Sequence, residues 1–256
     1  VEQIARGKAL DLAHTAAVYE RDLRISGSTE PGDIADAGIV VITAGRARKA
    51  GQSREELFGS NAAIVAQCAR DAAKYAPSSI IVIVTNPLDM MVYAALQASG
   101  FAKERVIGMA GELDGARLKF ELARASGKEI SSMRSAIVGQ HSEEMIALKN
   151  ELGFEISDEI FDRAVQNTKH AGAQIGELLG TSAYLAPAAG IVKIIKYILF
   201  DTCGTLACCV ADRSGVPLGR FVSVGKMGAI ERNFAYSGEF YEQLERMRER
   251  IAGLKF

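Results

Sequence analysis

The sequence predicts an α/β fold: a doubly wound parallel sheet in the first half, and an α+β half with an antiparallel sheet in the second. Three observations predict it. Residues 39–42 and 80–84 are almost purely apolar and β-branched, as parallel strands buried on both faces should be. The stretch between them puts Leu57, Phe58, Ile64, Val65, Cys68 and Ala72 on one helical face, so strand and helix alternate. Residues 205–225 instead mix short apolar runs with glycine and proline, the texture of antiparallel strands.

Taken in order, residues 7–14 read as a helix through Ala9, Leu10, Leu12 and Ala13, and residues 23–27 alternate like an edge strand. After the first buried strand a helix begins near Arg54, Glu55 and Glu56. Residues 88–98 form the next helix, with Gly100 as its stop, and residues 106–108 a short third strand. A boundary is expected near 111–114. Beyond it, residues 113–125 are helical and residues 133–138 form a strand ending at Gly139, Gln140 and His141. Long helices follow at 158–180 and 183–199, and a charged amphipathic helix at 239–254 closes the chain.

A net charge of -1 gives no broad basic field for nucleic acid or an anionic membrane surface. No apolar run reaches the ~20 residues of a membrane span, and the start lacks the apolar core of a signal peptide. Cys68, Cys203, Cys208 and Cys209 form no Cys-x-x-Cys pair and have no histidine at zinc-finger spacing, so no metal site is expected. They read as buried or partly buried thiols of a reducing compartment, the cytoplasm.

Four segments carry chemistry. Residues 45–54 follow a buried strand and hold Arg46, Arg48, Lys49 and Arg54 between glycines, which reads equally as a cationic closing loop or a solvated one. Val84, Thr85, Asn86 and Pro87 end the second strand, and the proline keeps Asn86 out of helical geometry. Asp114 and Arg117 are three apart and share a helix face, where an ordinary ion pair is the simplest reading. His141 follows a strand beside a glycine, whereas His14 and His170 sit in helical patterns and read as structural.

In their order and spacing these segments resemble the malate/lactate dehydrogenase family, nearest its malate-type members. The likeness runs through Gly7 to His14, Ala47 to Arg54, Thr85 to Asp89, Leu113 to Arg117, Gly139 to Met145, Gly180 to Tyr184 and Gly225 to Gly228. It covers nearly the whole chain. It implies a Rossmann-type dinucleotide-binding domain at 1–112 and a catalytic domain at 113–256. Its activity would be hydride transfer between a nicotinamide cofactor and a small dicarboxylate, malate or oxaloacetate. By resemblance His141 is the acid/base and Asp114 its partner. Arg117 holds the substrate C1 carboxylate and Arg54 polarises the reacting carbonyl. Asn86 meets substrate and cofactor, Asn61, Val84 and Thr85 lie on the cofactor side, and Thr181 and Ser182 wall the pocket. Arg48 sets the substrate, because a second carboxylate in a closed pocket needs a cation; lactate-type members usually carry glutamine there. NAD is the expected cofactor, with NADP as alternative. A homodimer or homotetramer and a place in the tricarboxylic acid cycle also follow from the resemblance.

The sequence departs from the family in two places. The family opens with a strand, a Gly-x-Gly-x-x-Gly turn, a helix and a second strand, and this chain contains no Gly-x-Gly-x-x-Gly. The parallel sheet is therefore expected to be a remnant, and the chain a piece of a longer enzyme lacking about 30 or more upstream residues. After the histidine, the family's Gly-Asp is replaced by Ser142 and Glu143. A lactate or other 2-hydroxy-acid dehydrogenase, and a non-catalytic truncated scaffold, are the alternatives.

Overall fold

A computed structural model describes residues 2–46 and 54–256, with the backbone alone for residues 54–57. The chain opens with α1 (Glu2–Val18), which buries only Ala9 and Ala16. Residues 21–28 form no strand, contrary to the edge strand expected at 23–27. A strand needs a neighbour for its backbone N–H and C=O groups. This segment lies against α1 instead: a Cβ on Gly27 would meet the Ala5 carbonyl oxygen at 2.2 Å.

The anticipated alternation follows as β1 (Ile39–Ile42), α2 (Arg54–Tyr75), β2 (Ile80–Ile83), α3 (Leu88–Ser99) and β3 (Val106–Gly108). β1 pairs with β2, and β2 with β3, in parallel. α3 ends where Gly100 turns left-handed at φ 65°, its N–H returning to the Leu96 carbonyl.

The second half contains α4 (Gly111–Ser126), β4 (Ile137–Val138), β5 (Ile146–Ala147), α5 (Asp158–Leu179), α6 (Leu185–Leu199), β6 (Gly204–Ala211), β7 (Pro217–Gly225), β8 (Gly228–Glu231) and α7 (Gly238–Ile251). The strand expected at 133–138 shrinks to two residues. Arg134 N–H donates to Leu152 O at 3.0 Å and Ala136 O accepts from Leu148 N–H at 2.8 Å, so loop bonds replace a longer β4–β5 ladder.

One six-stranded sheet runs through both halves in the order β1-β2-β3-β6-β7-β8. The parallel and antiparallel parts meet where Gly108 faces Cys209. A side chain at Gly108 would not fit this seam, because its Cβ would lie 2.7 Å from Val92 Cγ2 and 2.9 Å from Cys209 Cβ.

Alternate residues of the strands feed opposite faces. Ile81, Ile83 and Cys209 pack with α2, α3 and α7 through Val65, Met91, Phe240 and Leu244. Ile80, Val82 and Cys208 pack with Ile194 and Ile198 of α6. A third core joins Leu118 and Leu122 of α4 to Ile137, Leu152 and Phe161. Cys68 is half-buried and Cys208 and Cys209 are buried, but Cys203 is exposed, contrary to expectation. It sits in the turn between α6 and β6 with φ 49°, outside all three cores. Among the described residues, no helix is long and apolar enough to cross a membrane.

The third core fixes α4. Leu118 is fully buried there, and Leu118→Ala is expected to remove ~2–5 kcal/mol of folding free energy in urea denaturation.

Candidate active site

Three of the residues singled out by sequence meet at one carboxylate. α4 carries Asp114 and Arg117 one turn apart on its inner side, as the i, i+3 spacing requires. Asp114 is 1% exposed. One carboxylate oxygen lies 2.6 Å from His141 Nδ1 and the other 3.3 Å from an Arg117 guanidinium nitrogen. With Nδ1 engaged, Nε2 is the ring nitrogen left for a substrate. Arg117 also faces α5, where a Cβ on Gly172 would sit 3.6 Å from its guanidinium. A bulkier residue at 172 would press on the guanidinium.

His141 is presented by a turn after β4. Gly139 starts it with φ 82° and exchanges backbone hydrogen bonds with Gly219 of β7, Gly139 N–H to Gly219 O at 2.8 Å and Gly219 N–H to Gly139 O at 3.1 Å. The His141 N–H donates to Asp89 Oδ2 at 3.1 Å. Asp89 lies in the first turn of α3, three residues past Asn86, so the end of β2 and the histidine turn are adjacent.

The tips of β1 and β2 are laced together. Thr85 Oγ1 donates to Ala44 O at 2.7 Å, and Val84 N–H donates to Ile42 O at 3.0 Å. Asn61 of α2 accepts from Arg46 N–H at 2.8 Å and donates to Asn86 O at 2.8 Å. Its amide is therefore spent on backbone and shapes the strand tips. Asn86 itself is exposed, and Thr181 and Ser182 lie exposed just past α5. Arg48 falls outside the described residues, and so does the side chain of Arg54, which begins α2. His14 and His170 are exposed on α1 and α5.

Electrostatics at the histidine oppose one another. Burial works against its charge. The charge of Asp114, the hydrogen bond to it and the charge of Asp89 outweigh burial and the repulsion of Arg117, and the imidazole pKa is raised above its ordinary value. Burial likewise pushes the Asp89 carboxyl up, despite the pull of His141 and the Cys209 thiol. A histidine whose hold on its proton is strengthened in this way, beside a guanidinium, can donate a proton to an oxygen of a bound anion and take it back.

Asp89 and Gln243 have no role among the motifs of the sequence. Gln243 is 3% exposed, accepts from Gln140 N–H at 3.0 Å and donates to Glu144 O at 2.6 Å. Its signal was a polar residue inside the apolar stripe of α7, between Phe240 and Leu244.

The family model described as lactate/malate dehydrogenase, NAD binding domain, matches residues 1–108, and the model of the lactate/malate dehydrogenase alpha/beta C-terminal domain matches residues 111–225. The malate dehydrogenase of Symbiobacterium thermophilum is 42% identical over 207 residues, covering 78% of this chain and 66% of that protein. A Nitratiruptor malate dehydrogenase is 40% identical over 239 residues, covering 89% and 75%. The crystal structure of malate dehydrogenase from Plasmodium falciparum in complex with NADH superposes with a TM-score of 0.90 at 28% identity, covering 98% of this chain and 86% of that one.

The raised histidine pKa sets a sign. A group whose folded pKa exceeds its unfolded value contributes stability that is full below the unfolded value and is lost as pH rises through the folded one. Stability in urea should therefore decline from about pH 6.5 upward, and His141→Gln should lack that part of the decline.

Proposed function

The chain belongs to the lactate/malate dehydrogenase family, and from that premise we propose that it interconverts malate and oxaloacetate with a nicotinamide dinucleotide. The observation that carries this reading is the Asp114 carboxylate shared between His141 and Arg117.

In the reading, Arg117 takes the substrate C1 carboxylate through two parallel N–H bonds. His141, whose affinity for a proton Asp114 raises, donates its Nε2 proton to the C2 oxygen of oxaloacetate and recovers one from malate. Arg54 steadies the charge that develops on that oxygen, and Arg48 pairs with the second carboxylate. Asn86 aligns substrate and cofactor, and Thr181 walls the pocket. With the cofactor bound, a hydride passes between its nicotinamide ring and C2.

The strand tips suit that cofactor. Ligands of open α/β sheets bind outside the carboxyl ends of the strands. Here Gly45 lies so close to the next strand that a Cβ would meet Thr85 Cγ2 at 2.6 Å. Asn61, Val84, Thr85 and Asn86 form the ledge for the nicotinamide end. Residues 1–112 serve the cofactor and residues 113–256 the substrate. NAD is favoured over NADP, in line with the family model's NAD-binding description.

Free thiols at all four cysteines suit a reducing, cytoplasmic setting, and the malate/oxaloacetate reading itself points to a role in the tricarboxylic acid cycle. Self-association is supported by apolar side chains left in water: Leu178, Leu185, Leu199 and Phe200 are 78%, 75%, 66% and 73% exposed.

Two measurements test the reading. Arg48→Gln is expected to lower kcat/KM for oxaloacetate about a hundredfold while changing pyruvate turnover far less. Equal loss on both substrates would favour a less selective 2-hydroxy-acid dehydrogenase. In sedimentation, the protein should run as a dimer or tetramer, and Leu185→Asp with Phe200→Asp should drive it to monomer.

A further inference from the structure

We propose that Gln243 of α7 is a positioning residue that clamps the turn carrying His141. The inference deepens the dehydrogenase reading and rests on it for its kinetic arm alone. α7 packs through Phe240, Leu244, Met247 and Ile251, and Gln243 lies on the same buried side. A buried amide must be bonded at both ends. Its Oε1 accepts from Gln140 N–H at 3.0 Å and its Nε2 donates to Glu144 O at 2.6 Å. The amide orientation follows from those partners, since one offers only a proton and the other only lone pairs.

The two bonds straddle His141, one residue before it and three after. A single side chain thus closes the turn from the C-terminal helix. The fit is direct: a Cβ on Gly139 would stand 2.7 Å from Gln243 Oε1. Asp89 holds the same turn from α3 through the His141 N–H, and Gly219 holds its start from β7. The two Gln243 bonds go to backbone atoms of the turn, not to the ring or to Asp114. Gln243 acts by keeping the backbone where the 2.6 Å ring contact forms.

Among the described residues, the groups facing His141 are Asp114 and Arg117 from α4 and Asp89 from α3, with Cys209 of β6 behind Asp89. None changes in Gln243→Met, which keeps the side chain's length and removes both bonds. Ring titration of His141 by NMR should show its midpoint falling toward the ordinary value by about half a pH unit, a roughly threefold weaker hold on the proton. Oxaloacetate reduction should lose about tenfold in kcat with KM within about twofold, because Arg117 is untouched. Arg246→Ala breaks the exposed pair between Arg246 of the same helix and the Glu144 side chain, leaves the Gln243 bonds to the turn's backbone in place, and should leave both readouts native.

A folded Gln243→Met protein with native titration and kcat overturns the clamp. So does an equal shift in Arg246→Ala, which would trace the effect to helix docking. If Gln243→Met does not fold, hydrogen exchange on the native protein decides. A slowed Gln140 N–H supports the clamp, and exchange at the free-peptide rate overturns it. If His141→Gln retains oxaloacetate reduction, the dehydrogenase reading fails while the titration still judges the clamp.

Discussion

The Asp114 carboxylate is divided between an imidazole and a guanidinium, and the site is organised around that division. A carboxylate that is 1% exposed is costly to charge unless its partners are close and well aimed. One oxygen meets the His141 ring nitrogen and the other the Arg117 guanidinium, so neither can drift without losing a partner. The arrangement also sets two fields against each other at the histidine: Asp114 favours the imidazolium and Arg117 disfavours it. A proton donor must hold its proton firmly enough to be loaded and loosely enough to release it. A cation beside the acid and a carboxylate behind it meet both conditions.

That carboxylate stays in place because α4 is wedged between two layers. Its Leu118 and Leu122 anchor the third core, and the Glu112–Lys193 pair joins its first turn to α6. The histidine arrives from a different layer, on a turn that leans on β7, α3 and α7. The site is therefore an agreement among elements far apart in the chain. The Asp89–His141 contact spans 52 residues and the Gln140–Gln243 contact spans 103.

This distribution explains what could be read in advance. The β-branched runs at 39–42 and 80–84 and the Gly100 stop announced β1, β2 and the end of α3 through local sterics, but the two-sided burial expected of both strands holds for β2 alone, since Ile39, Val40 and Val41 of β1 are only half-buried. Residues 23–27 alternated convincingly, yet alternation cannot supply a neighbouring strand, and the segment folded onto α1. The strand expected from 133 was cut short by loop bonds from Leu148 and to Leu152, which no periodicity encodes. Asp114, Arg117 and His141 were legible from helical spacing and from the ordered motifs. Asp89 lies at the end of the Thr85–Asp89 motif with no legible role, since its partner is a backbone N–H on a distant turn. Gln243 was hidden among the charged residues of an amphipathic helix. Only the stripe it interrupts marked it.

The paired backbones of Gly139 and Gly219 carry one more implication. A Cβ on Gly219 would lie 2.4 Å from the Gly139 carbonyl oxygen, and Gly139 stands at φ 82° against the Gln243 amide. Mutational freedom along the histidine turn is thus sharply uneven. Ser142 and Glu143, half-buried and exposed, can be redesigned, whereas a side chain at Gly219 would displace the Gly139 backbone and one at Gly139 would be strained by its positive φ and press on the Gln243 amide. Directed evolution of this protein would find its diversity at Ser142 and Glu143 and almost none at Gly139 and Gly219.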